Sequence, residues 1–281
     1  MSELALQLIA EAKEQKSTRL NLGRCGLSSI PEELFDLVWL EDLTLADDWI
    51  EYKAEDKLWD LHIGKNVGSW NKIQTIPQQI KQLTQLRRLS LAGNEIQNIQ
   101  ALAELATLQT LDLCFNDHIK DLEPLTQLQA LQTLQLRKNC ISDLRPLAKL
   151  RKLQIIELRE NQIKDLSPLA GLTDLQGLFL SNNKITNLQP LAELEQLQAL
   201  YVASNQISDL KPLLKLIMTG LPLTLEDAYK GSKIVVHDNP LPEHVKALIK
   251  QGNPAVIDYY QAAKHEEHDS LWRRYWCKWF S

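Results

Sequence analysis

The chain has 281 residues, of which 44% are apolar and 24% charged, with a formal charge of -5 and a pI near 5.7. That balance excludes a wholly disordered chain, and its acidic sign argues against affinity driven by phosphate neutralisation, so no nucleic acid is expected as a partner. No run of 18 apolar residues is present to span a bilayer.

At the N-terminus, MSELALQLIAEAKEQ lacks the pattern of a secretory signal, and residues 1–16 read as a capping helix with Leu4, Leu8, Ile9 and Ala12 on one face. Cys25, Cys114, Cys140 and Cys277 are scattered without metal-ligand spacing, which suits packing thiols in a reducing compartment. Cytoplasm is the expected location.

Residues 17–241 repeat themselves. The asparagines Asn94, Asn116, Asn139, Asn161, Asn183 and Asn205 are separated by 22, 23, 22, 22 and 22 residues. Ahead of each stands Leu-x-x-Leu-x-Leu-x-x-Asn, with Ile156 in the middle leucine place of one copy. Apolar residues spaced by one read as a short strand with one face inward. Such a strand cannot bury its face alone, and parallel stacking merges the leucines into one core. The asparagine, both donor and acceptor, is expected to satisfy backbone groups at the turn inside the stack. Next, Ile163 and Leu166 turn inward, Asp165 bonds its own turn, and Pro168 suits the start of a short helical turn.

These residues resemble the leucine-rich repeat family, and the Asp-Leu-x-Pro-Leu ending is similar to its phosphatase-regulator and internalin type. The resemblance implies an α/β solenoid: a curved, right-handed superhelix with a parallel concave sheet of about nine strands, 3₁₀ or extended segments on the convex side, and helical caps. The junctions EAKEQKSTRLNLGRCGLSSIP and NPLPEHVKALIKQGNPAVIDYY also resemble those of Roco-type proteins. The GxxxxGK[ST] loop of their GTPase domain is absent here, so the likeness implies a sensing module and no GTPase activity.

The repeats break twice. After the strand near Leu43 comes an insertion at about 48–70, carrying Trp49, Tyr52, Trp59 and Trp70. These aromatics either pack the insertion onto the solenoid or protrude as binding anchors, and Leu58, Leu61, Ile63 and Asn66 also fit a degenerate repeat. A second irregular stretch at about 214–231 delays the last strand to Ile234–Val236. Residues 242–281 then read as a C-terminal cap. Val245 and Leu248 face inward on its first helix, and Asn253 caps a second whose first residue is Pro254. The closing LWRRYWCKWF is either an added packed helix or a tail that docks a partner or touches a membrane surface.

Chemistry is sparse along the chain. His265 and His268 stand three apart without further ligands, and no histidine is placed beside Cys114, so neither a metal, a cofactor nor a catalytic residue is expected. Function is expected instead in the outward side chains of the strands. Their central column runs Asn21, Thr44, Ser90, Asp112, Gln135, Glu157, Phe179, Tyr201, Val235, losing polarity toward the C-terminal end. Phe179 and Tyr201 fall on adjacent strands near Ile155 and Val235, bordered by Arg137, Arg159 and Glu157. An exposed aromatic patch with an arginine rim is the composition of a protein-binding hot spot, set against the plainer reading of cross-strand packing. The neighbouring column of Gln109, Gln132, Gln154, Gln176 and Gln198 is expected to stack its amides. The chain is therefore expected to be a non-enzymatic scaffold for a protein partner, or else the sensor of a separate effector.

Overall fold

The structure, a computed structural model, describes residues 2–46, 48–53, 58–63, 66, 68–226 and 231–262. Three-residue strands recur where the repeat places them: β1 (Arg19–Asn21), β2 (Asp42–Thr44), β5 (Arg88–Ser90), β6 (Thr110–Asp112), β7 (Thr133–Gln135), β8 (Ile155–Glu157), β9 (Gly177–Phe179) and β10 (Ala199–Tyr201). They pair in parallel, and the middle leucines lie opposite one another, as in Leu89↔Leu111 and Leu111↔Leu134. Each repeat returns through a 3₁₀ turn such as Ser167–Leu169, which Asp165 opens by accepting from the Ser167 N–H at 2.8 Å.

One continuous core runs the length of the stack, in which the leucines of each strand and the isoleucine and leucines after each asparagine are buried. Each such side chain contributes about 1.5–3 kcal/mol of burial. The asparagines do the expected work between turns. Asn161 Nδ2 donates to the carbonyls of Leu136, Leu158 and Arg159 at 2.9, 3.1 and 3.2 Å, and its Oδ1 accepts from the Ile141 N–H at 2.9 Å. Asn94, Asn116, Asn183, Asn205 and Asn239 repeat the pattern. Asn139 departs from it, because its buried Oδ1 has no donor. Its repeat follows the one spacing of 23 residues, and the extra residue falls in the Asp117–His118 turn just before Ile119, whose carbonyl still accepts from the Cys140 N–H at 2.9 Å.

Four features differ from the sequence reading. The insertion is a two-stranded antiparallel hairpin rather than a loop or a degenerate repeat: β3 (Asp48–Lys53) pairs with β4 (Leu58–Ile63), setting Tyr52 opposite Trp59 and Trp49 opposite His62. The second irregular stretch forms a short helix, α2 (Leu214–Met218), and a strand, β11 (Leu223–Thr224). That strand pairs outside β12 (Ile234–Val235), so the sheet has ten strands and its edge runs β10-β12-β11. The glutamine column is joined through its backbone, with each N–H donating to the preceding carbonyl, as in Gln132 to Gln109 and Gln154 to Gln132 at 2.8 Å. Asn253 does not serve as a simple cap; its side chain ties the irregular stretch down, donating to Leu221 O and accepting from Leu223 N at 2.9 and 3.0 Å.

Both ends are closed. Helix α1 (Glu3–Glu14) buries Ala5, Ile9 and Ala12 against the first repeat, and Ser2 Oγ accepts from the Ala5 N–H at 3.4 Å. At the other end α3 (Glu243–Gln251) buries Val245 and Ile249, and a further helix over 253–262 brings the Tyr260 hydroxyl to the Leu210 N–H at 3.1 Å. Among the described residues no helix is long and apolar enough to cross a membrane.

Candidate functional site

Strand periodicity sends alternate side chains to the sheet face opposite the leucine core, which is the concave face. The C-terminal half of that face carries Ile155, Phe179, Ala199, Tyr201, Ala203 and Val235, which touch one another and form an apolar cluster separate from the main core. Phe179 and Tyr201 lie with ring centroids 5.1 Å apart at 36°. The sequence therefore placed these residues together correctly, but the expected exposure is wrong. Phe179 is 1% exposed, Tyr201 4%, Ile155 3% and Val235 1%, and Glu157 and Arg159 are buried beside them.

Neighbouring side chains explain part of that burial. Gly177 has no Cβ, and one built there would lie 2.9 Å from Ile155 Cδ1 and 3.1 Å from Phe179 Cε2, so the phenyl ring settles over the glycine instead of standing away from the sheet. Arg159 spans the ring from above, its Cζ 5.7 Å from the Phe179 centroid. Glu157 anchors that guanidinium, accepting from Arg159 Nε at 2.8 Å. Both charges are buried, so the pair is a costly arrangement that holds geometry more than it adds stability.

Toward the N-terminal end the same column is polar and self-satisfied. Ser90 Oγ donates to Asp112 Oδ2 at 3.0 Å, and Asp112 Oδ1 accepts from the Cys114 N–H at 3.0 Å. Burial raises the Asp112 carboxyl above its ordinary range, and burial pushes the Cys114 thiol well above its own. Cys114 is thus a packed thiol beside Ala46 and Ala92, without the thiolate that a nucleophile needs.

What water meets is the rim. Phe115 follows Cys114 with a backbone φ of 57°, a left-handed conformation that turns its ring outward, and it is 36% exposed. Arg137 Cζ and Lys138 Nζ approach that ring at 5.3 and 5.7 Å, and Glu160 accepts from Arg137 Nε at 2.8 Å. Beyond it a recess of about 220 Å³ is bounded by Arg137, Arg159, Glu160, Tyr201, His237 and Asp238. Phe115 was missed as a site residue because the repeat letters mark its position as part of the turn. The left-handed φ shared by Phe115, Lys138, Glu160, Asn182, Ser204 and Asp238 makes that position an outward-facing row.

The hairpin residues Trp49, Tyr52 and Trp59 are placed by backbone register alone, while Trp70 just after it is 67% exposed. The histidine pair at 265 and 268 and the aromatic tail at 271–280 lie outside the described residues.

A family model described as leucine rich repeats in two copies matches residues 84–127, 106–149, 129–171 and 173–215. Internalin C2 of Listeria monocytogenes is 31% identical in sequence over 75% of this chain and 88% of its own, with a TM-score of 0.64. A second internalin from the same organism is 27% identical over 85% and 82%, with a TM-score of 0.57. A leucine-rich repeat protein of Leptospira interrogans is 25% identical over 83% of this chain and 57% of its own, with a TM-score of 0.63. No curated protein sequence matches the chain.

Proposed function

Because this chain belongs to the leucine-rich repeat family, we propose that it is a non-enzymatic scaffold that holds a protein partner against the concave side of its sheet. The observation that carries the reading is the exposed row at the rim, where Phe115 is flanked by Arg137 and Lys138. An aromatic ring beside cations combines apolar area with directional charge, which is the pairing that anchors protein interfaces. Ile155, Phe179, Tyr201 and Val235 form the floor behind that rim, with Glu157 and Arg159 fixing its shape. The hairpin that carries Trp49, Tyr52 and Trp59 follows β2 in the chain and is proposed to supply further aromatic contacts to the partner. The partner is a protein and no cofactor is needed. Cys140, a free and partly exposed thiol, suits a reducing compartment and so the cytoplasm.

Capture from native lysate with three forms of the full chain tests the proposal. Wild type and a Lys120→Ala, Lys164→Ala variant, altered at exposed positions outside the strand face, are expected to recover the same protein. A Phe115→Ala, Arg137→Ala variant is expected to recover at least about tenfold less, since losing one anchor costs about 2 kcal/mol. Equal recovery by all three, with folding unchanged by circular dichroism, removes the rim from the function.

A further inference from the structure

The row that carries Phe115 continues toward the N-terminal end of the stack. Its members each stand one residue before a ladder asparagine, and Gly93, with a φ of 70°, takes that place before Asn94. In the repeat before it, Trp70 directly precedes Asn71, which holds the ladder position by donating to Leu22 O and Leu45 O at 2.9 Å each. The Trp70 side chain is strongly exposed. Trp70 and Phe115 thus stand at one margin of the sheet, two strand steps or about 9.6 Å apart along β2-β5-β6, with Gly93 between them. A Cβ built at Gly93 meets nothing within 4 Å, so the interval between the two aromatics is open.

What the margin offers decides which kind of chain fits it. Backbone N–H groups along the row are already spent: Gly93 donates to Cys114 O, Phe115 to Arg137 O and Lys138 to Arg159 O, at 2.9, 2.8 and 2.9 Å. A docked β-strand would find no ladder of donors to join, and those main-chain bonds are the source of its affinity. A polyproline II segment needs none, since it makes no internal hydrogen bonds and its prolines carry no N–H. With about 3.1 Å per residue and three residues per turn, prolines three apart lie on one edge about 9.3 Å from each other. That distance matches the interval from Trp70 to Phe115. Each aromatic offers flat apolar area to a pyrrolidine ring, and the Trp70 indole N–H is a donor for a carbonyl of the segment. Charge sets the flank. Arg137 and Lys138 lie against Phe115; Glu160 engages Arg137, while Lys138 meets Asp117 at 3.9 Å with both more than half exposed, a pair worth little in water.

We propose that Trp70 and Phe115 grip a proline-rich segment of the partner, held as a polyproline II helix with prolines three residues apart. The two residues between the prolines pass over Gly93, and an acidic residue beyond the proline on Phe115 meets Lys138. This rests on the reading of the Phe115 rim as the recognition surface and names what that surface recognises.

Calorimetric titration of the full chain uses two acetylated peptides of one composition. Glu-Glu-Pro-Ala-Ala-Pro-Glu-Glu has its prolines three apart, and Glu-Glu-Pro-Ala-Pro-Ala-Glu-Glu has them two apart. The expected result is saturable binding of the first, at least about tenfold tighter than the second, with a loss of at least about tenfold in Trp70→Ala and in Phe115→Ala alike. Both substitutions fall at exposed positions, and circular dichroism checks that the fold is kept. No saturable binding of the first peptide, equal binding of the two, or wild-type affinity in either folded variant each overturns the proposal. Lysate capture reads any protein held at Phe115, so the rim reading stands if these peptides fail, and peptide binding stands if capture recovers nothing.

Discussion

At the scale of single residues, the asparagine ladder sets the sharpest expectations. Asn161 satisfies three carbonyls and one N–H in a buried turn, so Asn161→Ala is expected to cost about 2–3 kcal/mol. Asn139→Ala is expected to cost about 1 kcal/mol less, because its Oδ1 has no donor to abandon. Urea denaturation of the two variants checks this, and equal losses contradict it. Tyr260 offers a pH test. Its phenol is pushed up to about 12 from an ordinary value of 10, chiefly by burial, while its oxygen accepts from the Leu210 N–H. A raised folded value means that the stabilisation is complete below pH 10 and is lost as pH rises toward about 12. Tyr260→Phe strands the Leu210 N–H, so it is expected to cost about 1–3 kcal/mol at pH 7 and to remove part of the alkaline loss. Thermal melts from pH 7 to 11.5 read both effects. The ladder was legible in the sequence because asparagine at a fixed interval has few structural uses. The burial of Phe179 was not, since it depends on a ring falling into the space over Gly177, which column position does not reveal.

Among the elements, regularity itself is testable. The extra residue at Asp117–His118 directly precedes Ile119, the counterpart of the residues whose N–H reaches the asparagine in the other repeats, so deleting Asp117 is expected to bring Ile119 N–H under Asn139 Oδ1. The gain is expected to be about 1 kcal/mol, seen as a raised urea midpoint at unchanged slope. A loss of stability instead would show that the expanded turn has a packing role. Strands, 3₁₀ turns and both end helices were readable because leucine periodicity and proline position report directly on which side chains must be buried. The hairpin β3-β4 and the edge strand β11 were not. Their pairings are not carried by the repeat, and nothing in DWIEYK or LTLED announces a partner strand. The closing role of Asn253 was hidden for the same reason, since its targets Leu221 and Leu223 lie about thirty residues earlier in an irregular stretch.

For the whole molecule, the stack forces a division of labour. Leucines and asparagines fix a rigid sheet, and the left-handed turn row at its margin is free to vary, which is why Phe115, Lys138, Glu160 and Asp238 can differ without disturbing the core. That freedom is why the margin is the proposed place for recognition. Hydroxyl-radical footprinting of the chain alone and with its captured partner tests the claim most directly, because Phe115, Met218 and Tyr259 are all exposed and reactive, at 36, 59 and 38%. The account predicts that the partner suppresses oxidation of Phe115 while Met218 and Tyr259 react as before. Protection of Met218 or Tyr259 with Phe115 unchanged would contradict it.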